Sequence, residues 1–299
     1  MHHEEAGAPH HSTTVAPMPR RTAPRGSESF TVSSGTATLR WDGTSATLLL
    51  DGVESSNVDI ADPTRLEFEY MQHMDAALDT LMPSPAPVRA LHLGGAACAL
   101  PWAWSLRRPG SRQVAVEVDP LLAASVREWF DLPRAPQLRI RVGDGREVLD
   151  HSRPGAHDVV VRDAFDHGSV PASLGTVEAA RAAAATLRPG GLYLLNAAHG
   201  GTADARPDVS ALLEVFPLVC AVTDPKVGRS QRRGNVVLVA QSAHPHADAL
   251  DLDELDRHLR RLPLPARVLR GRALERWTAG APAPTDPAST PVTAAPPRT

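Results

Sequence analysis

Lysine, cysteine and long apolar runs are all scarce in this chain, and each shortage excludes a class of protein. Lys226 is the single lysine among 31 lysine and arginine residues, and the formal net charge of −3 comes without any block of one sign. The sequence therefore predicts neither a nucleic-acid-binding surface nor a polybasic membrane patch. The only cysteines, Cys98 and Cys220, lie in apolar segments, and we interpret them as buried thiols rather than a disulfide.

Membrane-type segments are also missing from the sequence. No run of 18 apolar residues occurs, and the N-terminus has no apolar stretch of the signal-peptide type. We therefore expect a soluble, cytoplasmic protein that does not bind a membrane.

The two ends of the chain contain few large apolar side chains. Residues 1–28 are rich in His, Pro, Thr, Arg and Ser, and residues 279–299 are rich in Pro, Ala and Thr. Such segments bury too little apolar surface to offset the entropy lost on ordering. We therefore expect both to be disordered tails.

A small N-terminal β module is expected at residues 29–62. Residues 36–41 and 46–50 alternate with a period of two, and Asp-Gly pairs follow them at Asp42-Gly43 and Asp51-Gly52. This pattern is typical of short strands that are joined by tight turns.

A larger α/β domain is expected at residues 63–278. It begins with a helix at Asp62-Pro63, whose apolar residues recur at helical spacing as far as Leu81. Strands and helices then alternate strictly after Pro87, which predicts a parallel, doubly wound sheet. The predicted strands are 88–93, 113–118, 137–142, 157–162 and 190–196, and the predicted helices are 98–108, 120–130, 145–150 and 174–187.

The last part of this sheet is predicted to be antiparallel. Residues 216–222 and 235–240 are apolar runs, and the polar loop at 224–234 between them is too short for a crossover helix. The predicted fold class is α/β, with a doubly wound, seven-stranded, mostly parallel sheet that ends in an antiparallel hairpin. Such a sheet resembles that of class I S-adenosylmethionine-dependent methyltransferases more than an ordinary dinucleotide-binding fold.

Glycines and acidic residues recur where the predicted strands end. Gly94 and Gly95 follow the first strand of the domain, Glu117 closes the second, Asp144 follows the third and Asp163 ends the fourth. The carboxyl ends of parallel strands meet at one edge of a sheet, where open α/β folds bind nucleosides. The sequence therefore predicts an adenosine-type ligand at this edge.

These residue types suit different parts of such a ligand. Glycines let a ligand approach the backbone closely, although residues 94–99 do not match the G-x-G-x-x-G pattern of NAD-binding proteins. Glu117 can accept hydrogen bonds from a ribose diol, and a helix cap is the alternative. Asp144 can accept one from the adenine amine, with room left by Gly145, and a capping turn is the alternative.

Two carboxylates, Asp163 and Asp166, lie three residues apart after the fourth strand. Such a pair can act as a base and a cation-binding group, and the alternative is one capping acid and one solvated acid. His92, His167 and His199 show no metal-ligand spacing with one another or with the cysteines, so no metal site is predicted.

On these motifs the chain resembles the spermidine synthase (aminopropyltransferase) family between about residue 48 and residue 240. The resemblance implies a transferase of polyamine biosynthesis that acts on a small-molecule amine and decarboxylated S-adenosylmethionine, as a homodimer. The motifs are LLLDGV at 48–53, EFEY at 67–70, the glycine turn at 94–95, VEVD at 116–119, VGDG at 142–145, DVVVRDAFD at 158–166 and LRPGG at 187–191.

The resemblance also implies roles for the site residues. Asp163 would be the proton acceptor, and Asp166, Tyr70 and Gln72 would bind the amine, while Glu117 would bind ribose and Asp144 adenine. An aliphatic amine has a pKa near ~10 and must lose a proton before it attacks the carbon beside a sulfonium. A pair of carboxylates can attract the cation and accept that proton.

Three positions depart from the family pattern. Ala97 stands where the family has an acid that holds the aminopropyl ammonium of decarboxylated S-adenosylmethionine. Ser55 replaces a glutamine, and Met71 stands where a polar residue is expected, just before Gln72. Two alternatives therefore stay open: an S-adenosylmethionine-dependent methyltransferase that acts on a small molecule, and a non-catalytic nucleoside-binding protein.

Overall fold

An antiparallel sheet of four strands forms the N-terminal part of the structure, a computed structural model that describes residues 26–166, 168–227, 232–243 and 249–287. Asp51 and Gly52 turn the chain between its last two strands with φ of +46° and +81°, as a type I′ hairpin turn requires. The predicted β module is thus confirmed. Its strands, in spatial order, are β1 (Gly26–Val32), β2 (Gly35–Asp42), β3 (Ser45–Leu50) and β4 (Val53–Asp59).

The sheet begins earlier than the composition predicts. Residues 26–28, expected in a disordered tail, belong to β1, where Glu28 pairs with Leu39 of β2. Backbone hydrogen bonds to β2 order these residues although their side chains are polar and exposed. Residues 1–25 of the predicted tail lie outside the described residues.

The first helix begins later than predicted. Helix α1 spans Glu69–Leu81 and does not start at Pro63. The side chain of Asp62 accepts hydrogen bonds from the amide of Thr64 at 3.1 Å and from its hydroxyl at 2.5 Å, so this acid stabilises a local turn instead of a helix.

The larger sheet has eight strands in the order β12-β10-β11-β9-β8-β5-β6-β7. Strands β5 to β9 pair in parallel, while β10 and β11 form the predicted antiparallel hairpin. The eighth strand, β12, was not predicted because three residues are too short for a periodic pattern. The strands are β5 (Arg89–Leu93), β6 (Arg112–Glu117), β7 (Leu138–Val142), β8 (His157–Arg162), β9 (Leu187–His199), β10 (Leu218–Thr223), β11 (Gly234–Gln241) and β12 (Arg267–Leu269).

Helices cover both faces of this sheet, so it is doubly wound as predicted. Helices α1, α2, α3 and α7 share one apolar core with the small β module, and α4, α5, α6 and α8 share the other. The helices after α1 are α2 (Ala99–Arg107), α3 (Pro120–Trp129), α4 (Gly145–Asp150), α5 (Val177–Thr186), α6 (Arg206–Leu213), α7 (Leu252–Leu259) and α8 (Arg272–Thr278), with a 3₁₀ turn at Ala172–Leu174.

Cys98 and Cys220 are both free and buried, in agreement with the sequence-based interpretation. Burial raises the pKa of each thiol to about 12, so both stay protonated at neutral pH. Within the described ranges, no helix has the length and apolar character that crossing a membrane requires.

The ordered chain also extends beyond the predicted C-terminal boundary at residue 279. Residues 279–287 are described, and the carbonyl of Pro284 accepts a hydrogen bond from the amide of Val177 at 2.8 Å. Composition alone misses this order because a proline-rich segment can still be fixed by donors on a neighbouring surface. Residues 288–299 lie outside the described residues.

Asp119 connects the β module to the larger sheet. Its Oδ1 accepts a hydrogen bond from the amide of Leu122 at 2.9 Å and caps α3, while Oδ2 accepts bonds from the amide and hydroxyl of Ser34 at 2.7 and 2.8 Å. Burial alone would raise the pKa of this carboxyl, but these hydrogen bonds outweigh burial and hold the pKa well below its ordinary value.

Replacement of Asp119 by Ala should lower the free energy of unfolding by about 2–3 kcal/mol near pH 7, because a helix cap and charge-assisted hydrogen bonds are lost together. A lowered folded-state pKa stabilises the fold above the unfolded pKa of about 4, and this stabilisation is lost as pH falls further. Urea unfolding near pH 7 and near pH 3 should therefore show the variant and the wild type converging at low pH. Asp131→Ala, at an exposed position, is the control. If the variant lost the same free energy of unfolding at both pH values, the stabilising role assigned to the ionised Asp119 carboxyl would be wrong.

Candidate functional site

The glycine turn after β5 brings two backbone segments into direct contact. Gly94 has a φ of +99°, and a Cβ at this position would lie 2.2 Å from the carbonyl oxygen of Asp163. At Gly95 a Cβ would lie 3.4 Å from the Cβ of Glu117, which is an ordinary contact. Glycine is therefore required at the first position, whereas the second position has room for a small side chain.

Glu117, at the end of β6, is held by backbone amides. Its Oε2 accepts hydrogen bonds from Gly95 at 3.3 Å and from Ala96 at 3.0 Å, and Oε1 accepts one from Asp119 at 3.0 Å. The cap of α3 is Asp119, so the capping alternative for Glu117 does not apply. Each carboxylate oxygen can accept a further hydrogen bond, so the group is oriented for a pair of donors such as a ribose diol.

Asp144 follows β7 and is exposed. Its Oδ1 accepts hydrogen bonds from the amides of Arg146 at 2.8 Å and Glu147 at 2.9 Å, so the capping alternative is what the structure shows. Oδ2 accepts no hydrogen bond from the described part of the chain and is available to a ligand. Next to it, a Cβ on Gly145 would lie 3.5 Å from Cδ1 of Leu174, which is an ordinary contact.

Asp163 follows β8 directly and lies between two neutral donors. Its Oδ2 accepts a hydrogen bond from the hydroxyl of Tyr70 at 2.8 Å, and its Oδ1 accepts one from the amide of Asn196 at 3.0 Å. Surrounding protein raises the pKa of the Asp163 carboxyl, and the bonds from Asn196 and Tyr70 oppose this rise only in part. The result is a carboxylate that is fixed in position and more basic than an exposed aspartate.

The two donors come from distant parts of the sequence. Tyr70 lies on α1 and is 5% exposed, and burial together with the nearby Asp163 raises the pKa of its phenol well above the ordinary value. Asn196, on β9, is 3% exposed, and its Oδ1 has no hydrogen-bond partner among the described residues. The sequence reasoning missed Asn196, although a lone amide within the apolar run 192–198 is a usable signal.

Gln72 and Asp166, the other two residues predicted to bind the amine, make contacts that differ from that of Tyr70 with Asp163. The side-chain amide of Gln72 donates to the carbonyl of Leu66 at 2.7 Å, so it fixes the segment before α1. Asp166 is exposed in the loop after β8, where its backbone pairs with that of Ser169.

A cavity lies beside Asp163, between the glycine turn, α2 and the β module. Among the described residues, Asp163 is the only acidic residue that lines it, and Ser55 and Met71, two of the positions that depart from the family, line it as well. His92 is also among the lining residues, and burial lowers the pKa of its imidazole to about 4, so this ring is neutral. Ala97, the third departure, is fully buried beside the glycine turn.

Three exposed apolar side chains stand at the strand ends next to the acidic residues. Val118 is 67% exposed, Val142 is 52% exposed and Phe165 is 40% exposed. Large apolar groups at neighbouring strand ends are typical of surfaces that a ligand or partner covers. Their position beside Glu117 and Asp144 fits a flat apolar ring such as a nucleobase.

His92 and His199, for which no metal-ligand spacing was found in the sequence, each have a nearby polar partner in the structure. Nε2 of His92 lies 3.0 Å from Oε1 of Gln113, and Nδ1 of His199 accepts a hydrogen bond from the amide of Ala205 at 3.3 Å. His167 lies outside the described residues. In the part of the chain that is described, no group of three or more His, Cys, Asp or Glu side chains could hold a metal ion.

No protein-family model and no curated protein sequence matches the chain, but solved structures do. A probable spermidine synthase from Corynebacterium glutamicum is 30% identical with a TM-score of 0.79, over 90% of this chain and 99% of that chain. Spermidine synthase from Thermotoga maritima is 18% identical with a TM-score of 0.53, over 79% and 78% of the two chains. Human methyltransferase-like protein 13, in complex with SAH, is 21% identical with a TM-score of 0.51, over 74% and 97%. The last two show a shared fold alone.

Gly94→Ala should disrupt the site much more than Gly95→Ala. The added methyl group at Gly94 would collide with the backbone of Asp163, and strain from the positive φ would add about 1–2 kcal/mol. Thermal unfolding should show a large loss of stability for the first variant and a loss below about 1 kcal/mol for the second. Equal stabilities would mean that the contact between Gly94 and Asp163 is not close in solution.

Proposed function

The chain belongs to the spermidine synthase family, and we propose that it is a transferase that binds S-adenosylmethionine or its decarboxylated form. In this proposal it transfers an aminopropyl group to a small-molecule amine, and Asp163 is the base. The observation that carries the proposal is the fixed position of Asp163 between Tyr70 and Asn196, next to the cavity. A cytoplasmic homodimer in polyamine biosynthesis is part of the same proposal.

The nucleoside would bind at the carboxyl ends of three neighbouring strands, β5, β6 and β7. Glu117 would accept hydrogen bonds from the ribose hydroxyls while the amides of the glycine turn hold its carboxylate in place. The free Oδ2 of Asp144 would accept a bond from the adenine amine. Val118 and Val142, both more than half exposed, would lose that exposure against the faces of the ring.

The amine would react beside Asp163. Its ammonium would be attracted by this carboxylate, which lines the cavity. As the proton passes to Asp163, the nitrogen lone pair attacks the carbon next to the sulfonium. The electrons of the breaking carbon–sulfur bond stay on sulfur, and a neutral thioether leaves with the nucleoside.

Tyr70 and Asn196 would position the base, while Asp166 would attract the far end of a longer, doubly charged amine. Because the amide of Gln72 is bonded to the backbone of Leu66, Gln72 would act on the amine only by shaping the segment before α1. Holding amine and donor in line would supply much of the remaining acceleration.

Methyl transfer from S-adenosylmethionine is the second candidate, and the composition of the cavity favours it. Ala97 cannot hold an ammonium group, and Asp163 is the only acidic residue in the lining among the described residues. Helix α2 has no acidic residue in its first turn, and the amides of Ala99 and Leu100 have no hydrogen-bond partner in the described part of the chain. A donor that keeps its carboxylate would meet these amides, whereas a decarboxylated donor would meet no counterion at that end.

Calorimetry with S-adenosylmethionine, decarboxylated S-adenosylmethionine and methylthioadenosine separates these functions. Tighter binding of the decarboxylated donor would support aminopropyl transfer, and tighter binding of the carboxylated donor would support methyl transfer. If none of the three binds, both enzymatic proposals are wrong. If methylthioadenosine binds but neither donor reacts with any amine, the chain is a nucleoside-binding protein without catalysis.

Asp163→Asn and Glu117→Ala should affect different steps. The first variant keeps the shape of the side chain but removes the base, so turnover should fall by at least about 100-fold with donor affinity nearly unchanged. The second removes the acceptor for ribose, so donor affinity should fall first, by about tenfold. Full activity of Asp163→Asn would show that the assigned base is wrong.

Tyr70→Phe should move the acidic limb of the pH profile of kcat/KM to higher pH. The phenol donates to the ionised form of Asp163 and thereby lowers the pKa of this carboxyl, so its removal raises that pKa. Catalysis needs the ionised form, so the variant should need a higher pH for the same fraction of active protein. Tyr193→Phe is the control, since the hydroxyl of this other buried tyrosine has no hydrogen-bond partner in the described ranges. A profile that is unchanged in Tyr70→Phe would contradict the role of Tyr70.

A further inference from the structure

Residues 281–287, here called the C-terminal strap, run across helices on one face of the larger sheet. This segment was expected to be part of a disordered tail, but hydrogen bonds fix it at both ends and in the middle. The hydroxyl of Ser210 donates to the carbonyl of Ala281 at 2.5 Å, the amide of Val177 donates to the carbonyl of Pro284 at 2.8 Å, and the amide of Asp286 donates to Oε2 of Glu178 at 2.9 Å.

The strongest contact of the strap is a bidentate ion pair between Asp286 and Arg146 of helix α4. Nη1 of Arg146 donates to Oδ1 of Asp286 at 2.9 Å, and Nη2 donates to Oδ2 at 2.6 Å. The Arg146 side chain is 16% exposed and that of Asp286 is 34% exposed, so solvent screens the pair only in part. The hydrogen bonds from Arg146 outweigh burial and lower the pKa of the Asp286 carboxyl.

Arg146 links the strap to the expected nucleoside site. Its backbone amide donates to Oδ1 of Asp144 at 2.8 Å, while its side chain also bonds to Asp150 at 3.0 Å and to the carbonyl of Ser173 at 2.8 Å. Arg146 therefore connects Asp144, the 3₁₀ turn at Ala172–Leu174 and the strap.

The contacts of Arg146 add to the packing of Val148 and Leu149, the buried side chains that hold the later part of helix α4 in the core. This helix has six residues, from Gly145 to Asp150, and a helix this short is not stable by itself in water. In the described residues, Asp286 is the only hydrogen-bond partner of the Arg146 Nη2 group. Without Asp286, the first turn of α4 and the side chain of Asp144 lose one of the contacts that hold them in position.

We propose that Asp286 is a positioning residue for the nucleoside end of the site. Through Arg146 it fixes the start of α4, and thereby the direction in which Asp144 presents its free oxygen to the base of the ligand. This inference rests on the proposed function, since it assumes that a nucleoside binds beside Asp144.

The test compares the affinity of full-length variants for methylthioadenosine by calorimetry. Asp286→Asn should weaken binding by about three- to tenfold, because a partly buried charge pair is lost. Its kcat at saturating donor should stay within about twofold of the wild type, since Asp286 does not touch the reacting atoms. Asp286→Glu, which keeps the charge, should recover part of the affinity. Amides of α4 should exchange with solvent faster in Asp286→Asn than in the wild type.

Two truncations separate the strap from the residues beyond it. A chain that ends at Pro287 keeps the strap and should bind as the wild type does, whereas a chain that ends at Gly280 should lose at least as much affinity as Asp286→Asn. Asp253→Asn, which breaks an exposed pair with Arg270, is the matched control and should leave affinity unchanged.

Unchanged affinity in Asp286→Asn, or a loss of kcat with no loss of affinity, would overturn the inference and leave the proposed function intact. A wild-type chain that binds no nucleoside would overturn the proposed function and this inference together, so the two failures are distinguishable.

Discussion

The contact between the glycine turn and the backbone of Asp163 is the constraint on which the rest of the site depends. The amide of Asp163 donates to the carbonyl of Leu93 at 2.8 Å. The backbone of Gly94 then lies so close to Asp163 that any side chain at position 94 would collide with the carbonyl oxygen of Asp163. Strand β8 is thereby seated against β5 up to its last residue. The carboxyl group can then turn only toward α1 and β9, where Tyr70 and Asn196 meet it.

Burial gives the carboxyl group of Asp163 the properties of a base, although the hydrogen bonds from Asn196 and Tyr70 and the charge of the adjacent Arg162 oppose this rise of its pKa in part. Its two partners are neutral donors, so they orient the carboxylate while adding no positive charge that would strongly lower its basicity. In the described part of the chain, no other acidic residue lines the same cavity. Of the positions that depart from the family, Ser55 and Met71 line this cavity, and Ala97 is buried in the glycine turn beside it.

The helix cap that Asp144 forms leaves one of its carboxylate oxygens available. The cap uses Oδ1 only, and Oδ2 accepts no hydrogen bond from the described residues. Since α4 is short, the orientation of that free oxygen depends on whatever holds the helix. In this chain Arg146 supplies the link, and its partner Asp286 comes from the other end of the sequence.

The sequence by itself did not predict α6, α7 or α8, but it determined the alternation of strands and helices from β5 to β9, the antiparallel end of the sheet and the strand ends at which acids gather. These features repeat with a short period or lie next to one another in the chain, so local patterns are enough to predict them. It did not determine the start of α1, the strand β12 or the ordered residues 281–287, because each depends on hydrogen bonds to distant partners that no local pattern records. The same holds for the candidate site: the positions of Gly94, Glu117 and Asp163 at strand ends follow from the sequence, but the pairing of Asp163 with Tyr70 and Asn196 was decided only by tertiary structure. Those three residues are far apart in the sequence, and only the packing of α1 and β9 around the end of β8 brings their side chains within hydrogen-bond distance.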